Sequence, residues 1–171
     1  MKGILMELSP ATPQDLQAFY NHYQSEEYNE FFRHYPDSCD YQSFLAVTTM
    51  YGGLYKLIDD DKLLSYLFTT VSPKIKAIIP GILIRKKHQN KGNSVASITY
   101  LLNLAFNEYH LEQAICVVSA DEPRVNQLLE QGGFTLSCTI PDNCFYNNEL
   151  HAENRWTMDK PTFNTLTKVH T

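Results

Sequence analysis

No two cysteines in this chain are spaced C-x-x-C, which removes the common zinc and redox motifs. The four cysteines, Cys39, Cys116, Cys138 and Cys144, are scattered along the sequence. With no secretion signal they do not read as a disulfide framework, and no metal site is expected. Cys116 lies in an apolar, strand-like run and reads as core. Long apolar runs are also missing. The longest, Ala77 to Ile84, falls far short of the ~18–20 residues a membrane span needs, so no membrane partner is expected. The start, MKGILMEL, is too short for a signal-peptide core before it meets Glu7, and reads as a first strand of a cytoplasmic protein. The triphosphate loop G-x-x-x-x-G-K-[ST] and the dinucleotide fingerprint G-x-G-x-x-G are absent. So are internal repeats, low-complexity stretches and linkers. What remains is 171 residues, 43% of them apolar, which fits one soluble globular domain over 1–171.

Carboxylates are missing from one long stretch. Between Asp61 and Glu108 there is no acidic residue, while Lys62, Lys74, Lys76, Arg85, Lys86, Lys87 and Lys91 give a local charge of +7 in a chain whose net charge is −5. Such a split suits a polyanionic ligand held at one place, or a solvated basic face. It suits nucleic acid poorly: the basic residues lack interleaved aromatics, and the rest of the chain repels phosphate. No nucleic-acid partner is expected.

Hydrophobic periodicity gives the element order. ILMELSP reads as a short strand. From Thr12 a helix is expected: Thr12 is an N-cap candidate, Pro13 suits the first turn, and Asp15 stands near a capping-box position. Leu16, Phe19, Tyr20 and Tyr23 share one face. YQSFLAVTTMY reads as a second short helix. LYKLI and KLLSYLFTTV read as a hairpin around Asp59 to Asp61. KAIIPGILI reads as a central strand, with Pro80-Gly81 marking a bulge or splay. The run SVASITYLLNLAFNEY is a long helix, with Val95, Ile98, Leu101, Leu102, Ala105 and Tyr109 on one face. QAICVVSA is a strand, and DEPRVNQLLEQGGF a short helix closed by Gly132-Gly133. FTLSCTI and ENRWTMD are the last strands, around a polar loop PDNCFYNNELHA. The order β-α-α-β-β-β-α-β-α-β-β defines an α/β domain with a mixed sheet.

The handover from KAIIPGILI to the long helix passes through RKKHQNKGNS, residues 85–94. The first N–H groups of a helix have no partner inside it, and the helix dipole adds positive charge there. Gly92 lets backbone approach a ligand closely. Asn93 and Ser94 are small, polar helix starters. Backbone N–H groups from Gln89 to Ser94 can therefore wrap a phosphate or pyrophosphate, with Lys87 or Lys91 adding charge.

QNKGNS resembles Q/R-x-x-G-x-G/A, the acetyl-CoA pyrophosphate loop of the GNAT (GCN5-related) N-acetyltransferases, with Ser94 in place of the last small residue. In that family the loop follows the fourth strand and opens the third helix, as it does here. LLEQGGF is similar to the LEKLGF ending found among relatives of the ribosomal-protein N-terminal acetyltransferases, a loose likeness. The resemblance covers most of the chain and is firmest from about Ile78 to Phe134. It implies a GNAT-like fold whose sheet splays between the fourth and fifth strands, with acetyl-CoA as cosubstrate in the gap. It also implies backbone contacts from Ile82 and Ile84 to the pantetheine arm and a pyrophosphate on Lys87, Gln89, Asn90, Lys91, Gly92, Asn93 and Ser94. The reaction implied is direct attack of a primary amine on the thioester. The acceptor is a protein N-terminus, a lysine or a small amine, and the protein a monomer or a homodimer.

The chain departs from the family pattern where catalysis is concerned. The helix Tyr that many members use as general acid is replaced by Leu129. The Ser of the ribosomal-protein-like branch is replaced by Val125. The Asn that often opens the helix is Glu122, with Asn126 one turn away as a partial substitute for the cofactor contact. Ser119, at the end of the fifth strand, is the nearest hydroxyl for protonating the thiol, or else a strand-end cap. Glu122 is a base acting through water, or else a favourable charge in a helix first turn. By analogy the acceptor side lies in SEEYNEFFRHYP. There Glu27 and Glu30 would attract a cationic amine and Tyr28 and Phe31 would wall it, unless they are only a wet face and a core face of one helix. The alternative is a catalytically degenerate GNAT-fold protein that binds CoA or a protein partner.

Overall fold

The computed structural model describes residues 6–23, 40–50, 53–59, 62–84, 92–146 and 149–169. The chain forms two compact units, Met1–Thr70 with Gly81–Tyr100, and Val71–Pro80 with Leu101–Thr171. Seven strands and five α-helices are described. They are β1 (Met6–Pro10), α1 (Pro13–Tyr23), α2 (Tyr41–Met50), β2 (Leu54–Asp59), β3 (Lys62–Ser72) and β4 (Ala77–Ile84), then α3 (Asn93–Asn103), β5 (Gln113–Ser119), α4 (Pro123–Gln131), β6 (Thr135–Tyr146), β7 (Glu149–Asp159) and α5 (Lys160–Val169).

In the first unit β1, β2 and β3 form an antiparallel run, Leu8 opposite Leu57 and Leu57 opposite Ser65. The expected hairpin is therefore present. The capping box on α1 also forms. Thr12 N–H donates to Asp15 Oδ2 at 2.7 Å, and Asp15 N–H donates to Thr12 Oγ1 at 3.2 Å. Asp40 caps α2 in a similar way, accepting from Ser43 N–H at 2.7 Å. Phe19 of α1, Phe44 of α2 and Tyr66 of β3 are buried together, with ring centroids 4.6 Å apart for Phe19–Tyr66 and 5.3 Å for Phe19–Phe44. Ser65 and Ser97, both fully buried, share a 2.9 Å hydrogen bond that satisfies two hydroxyls away from water.

In the second unit β5 and β7 pair antiparallel, as do β7 and β6, and β6 is the edge. The parallel β4–β5 ladder has two described pairs, Ala77 with Gln113 and Ile78 with Ala114. β4 continues unbroken through Pro80 and Gly81 to Ile84, and β5 continues to Ser119. The last described pair is at Ile78, two residues before Pro80, a residue with no N–H for a ladder. The sheet is mixed, as expected. Cys116 is buried, and burial pushes its thiol up to about 12, so it acts as a small apolar side chain.

Three sequence expectations need correction. The polar loop over residues 141–152 is mostly strand: β6 runs to Tyr146 and β7 starts at Glu149. An edge strand faces water along one side, so it needs no apolar alternation. The long helix also does not keep one face to its end. Leu104–Glu108 is a π-helical turn, closed by Tyr109 N–H to Leu104 C=O at 2.9 Å. The wider turn buries Leu104, Ala105 and Phe106 and leaves Tyr109 exposed. Finally, α5 was not anticipated. Asp159 caps it by accepting from Thr162 N–H at 2.8 Å, and Phe163 packs on Phe106 with centroids 5.1 Å apart. Its signal was present in Asp159, Pro161 and the Phe163/Leu166 spacing.

Candidate active site

In the first unit the candidate site is the start of α3. Ala96 N–H donates to Gly92 C=O at 3.2 Å, which makes Gly92 the residue that opens the helix. Its φ is +78°, a left-handed conformation natural to glycine. A Cβ built there would meet nothing within 4 Å, so the position is kept open by backbone shape, not by crowding. Gly92 is exposed, Ser94 half-buried and Asn93 buried. The amides ahead of the first helical bond lie outside the helical ladder. An open, left-handed glycine at a helix N-terminus is a form that admits an anion against backbone N–H groups. Ile82 of β4 is half-buried; the side chain of Ile84 and residues Lys87, Gln89, Asn90 and Lys91 lie outside the described residues. The expected acceptor residues Glu27, Tyr28, Glu30 and Phe31 lie outside them as well. Of the basic stretch, Lys76 belongs to the second unit and pairs with Glu112 at 3.0 Å.

In the second unit the structure brings Ser119, Glu122 and Asn126 together where β5 turns into α4. Asn126 is the hub. Its Nδ2 donates to the Ser119 carbonyl at 2.9 Å and to the Glu122 carbonyl at 2.8 Å. Its Oδ1 accepts from Asn154 Nδ2 at 2.9 Å and from Trp156 Nε1 at 2.8 Å. Two donors and two lone pairs are thereby used, the full capacity of a side-chain amide. Asn126 thus ties strand end, helix start and β7 into one rigid corner. That engagement is an internal strut and leaves the amide no spare bond for a cofactor. Trp156 is buried and also donates into this corner.

Ser119 is buried, and its Oγ accepts from Asp121 N–H at 3.3 Å, so it does cap the strand end. Its hydroxyl proton is not consumed by that bond. Glu122 is the N-cap residue of α4 and makes no side-chain capping bond; it is half-buried, and Pro123 follows it into the first turn. Leu129, at the position where a Tyr would be the general acid, is buried. Among the described residues no cluster of three or more His, Cys, Asp or Glu is placed to hold a metal ion.

Sequence reasoning assigned no role to Asp121, His151 or Glu153. His151 Nδ1 meets Asp121 Oδ2 across the end of β5, and buried Glu153 accepts from Arg155 Nε at 2.9 Å. His151 was hidden because its segment read as a polar loop, whereas Asp121 stood in the expected short helix and Glu153 in the expected last strand; the segment is in fact the start of β7. As a strand it alternates, with His151, Glu153 and Arg155 on one face and Asn154 and Trp156 on the other.

The strand order and the opening of α3 behind β4 define the fold of the GNAT N-acetyltransferases. No family model matches the chain, and no curated protein matches it by sequence. Solved structures do. A spermidine N-acetyltransferase from Vibrio cholerae in complex with CoA and spermine matches with a TM-score of 0.83 at 15% identity, over 93% of this chain and 98% of that one. The spermidine/spermine N-acetyltransferase SpeG from the same organism, in complex with manganese ions, matches with a TM-score of 0.76 at 17% identity, over 95% and 96%. At such identities the likeness is one of fold. Among the described residues, no helix is long and apolar enough to cross a membrane.

Proposed function

We propose that the protein is an acetyl-CoA-dependent N-acetyltransferase acting on the primary amine of a small cationic molecule of the polyamine class. The observation that carries this reading is Gly92, open and left-handed at the N-terminus of α3, in a fold whose solved neighbours include a complex with CoA and spermine. The neighbours span nearly all of this chain, which supports reading residues 1–171 as one catalytic domain.

Acetyl-CoA supplies an activated acyl thioester. The chain's part is to hold it and to manage protons. Amides at Gly92, Asn93 and Ser94, with Lys87, Gln89, Asn90 and Lys91 ahead of them, neutralise the pyrophosphate. Backbone at Ile82 and Ile84 carries the pantetheine arm as an added strand would, and aims an N–H at the carbonyl oxygen. Ser119 hands a proton to the departing sulfur, and Glu122 takes the amine proton through water. By the family resemblance, Glu27 and Glu30 attract the cationic acceptor and Tyr28 and Phe31 wall it.

Isothermal titration tests the reading. Acetyl-CoA is expected to bind at roughly micromolar Kd and ATP not to bind. Spermidine is then expected to drive release of free CoA thiol. Absence of acetyl-CoA binding overturns the proposal. Leu129 in place of the acid Tyr favours a second reading, a CoA-binding module without turnover. Binding without thiol release, across spermidine, lysine and an N-terminal peptide, selects it.

A further inference from the structure

Ser65 of β3 and Ser97 of α3 are both fully buried, and their hydroxyls share a 2.9 Å hydrogen bond. The layer around them is apolar. Leu57 stands opposite Ser65 on β2, Leu67 follows two residues along the same face of β3, and both are fully buried. Two small apolar side chains would fill this space without taking hydroxyls out of water. The hydroxyls therefore supply something that packing does not. Apolar contact has no direction, so a helix held by it alone slides and rolls at little cost. A hydrogen bond has a narrow range of length and angle, and breaking this one leaves two hydroxyls unpaired in a dry layer.

The place of the bond is a second observation. Ser97 lies four residues after Asn93, about 6 Å along the helix axis, and both are buried on one side of α3. The bond thus acts one turn inside the helix start that carries Gly92. Thr99 shows the alternative: its hydroxyl turns back onto the Val95 carbonyl at 2.9 Å, within the helix, as helix Ser and Thr commonly do. The Ser97 hydroxyl crosses to the sheet instead. β3 is a firm anchor for it. The strand is paired with β2, and Tyr66, next to Ser65 and on the opposite face, is buried with Phe19 of α1 and Phe44 of α2.

We infer that Ser65 and Ser97 are positioning residues for acetyl-CoA: their bond fixes the height and rotation of α3 on β3 and so places the amides of Gly92, Asn93 and Ser94 for the pyrophosphate. The inference rests on the acetyltransferase reading and deepens it. Backbone amides hold an anion through short, aligned bonds that weaken steeply as the angle closes. A helix free to roll spreads its amides over many positions, of which only some suit the anion, and the apparent affinity falls with the competent fraction. Both hydroxyls are enclosed and act through the helix alone. The signature is an effect on acetyl-CoA affinity, with none on the chemical step once the cofactor is bound.

The experiment measures acetyl-CoA Kd by titration, kcat and KM with spermidine, and the melting temperature, in Ser65→Ala, Ser97→Ala and the double variant. Each single variant is expected to raise the acetyl-CoA Kd and KM about ten-fold, with kcat at saturating acetyl-CoA and the KM for spermidine within about two-fold of wild type. Each also leaves one hydroxyl buried without a partner, so its melting temperature falls. The double variant removes both hydroxyls. Its melting temperature is expected to recover above that of the singles, while its acetyl-CoA Kd stays about ten-fold raised, because the helix is still unfixed. A merely structural bond would let affinity recover along with stability. A wild-type Kd in the double variant, or a fall in kcat at unchanged Kd, overturns the inference and leaves the acetyltransferase reading standing. A wild-type protein that binds no acetyl-CoA overturns both. If a single variant fails to fold, the double variant decides alone.

Discussion

The start of α3 and the end of β5 are built by opposite means. At Gly92 the geometry is a backbone property: a positive φ, a helix terminus and open space. At Ser119 the geometry is a side-chain property, in which Asn126 uses every bond it can make and His151 is fixed by Asp121. A backbone site needs a residue that permits it and tolerates change nearby. A side-chain corner fails at its hub, because each lost partner leaves a buried polar group unpaired.

Substitutions can break this contrast. The largest effect is expected from Gly92→Asp. Asp tolerates a left-handed φ better than most residues, so the damage comes from a carboxylate set where the pyrophosphate would lie. Acetyl-CoA affinity is expected to fall at least about 10³-fold, about 4 kcal/mol, with the melting temperature nearly unmoved. A titration and a melt on one sample check both halves. The converse holds for Asn126→Ala. Losing four bonds and leaving the Trp156 Nε1 and Asn154 Nδ2 donors without their acceptor is expected to cost about 3 kcal/mol of stability by urea unfolding. Its acetyl-CoA affinity is expected to change less than about three-fold; a large loss would make Asn126 a cofactor ligand after all.

Smaller effects sharpen the picture away from both sites. Gly133 has φ +87°, and a Cβ there would meet Leu166 Cδ1 at 2.5 Å. Gly133→Ala is expected to cost about 2 kcal/mol, from backbone strain and from pushing on α5. An unchanged melt would mean that α5 does not pack there. The smallest effect concerns Asp15. Partial burial acts to raise its pKa, but hydrogen bonds from Lys56 and Thr12 outweigh this and hold the carboxyl below the usual carboxylate range. A depressed folded pKa gives stability that is present above the unfolded value and lost as pH falls through the folded one. Asp15→Asn is therefore expected to cost about 0.5–1 kcal/mol at neutral pH and nothing in strong acid, as unfolding at both pH values checks.

Much of this molecule was legible in its residues because the relevant forces are local. The Thr12–Asp15 capping box, the β2–β3 hairpin and the glycine that opens α3 each depend on a few neighbouring positions. The motif at 89–94 named a chemistry because a helix terminus and a glycine have much the same physics in any fold. What the sequence could not show was pairing at a distance. PDNCFYNNELHA looks polar and loop-like until β6 takes the sheet edge and β7 lies inside it. Only then does His151 meet Asp121, 30 positions away, and Asn126 meet Trp156, also 30 positions away. The π-helical turn after α3 and the docking of Phe163 on Phe106 were decided in the same way, by packing. Local chemistry fixed the capped start of α1, the β2–β3 hairpin and the glycine that opens α3. Tertiary structure chose the partners of the side chains at the end of β5, because a hydrogen bond between distant residues has no trace in the order in which they are joined.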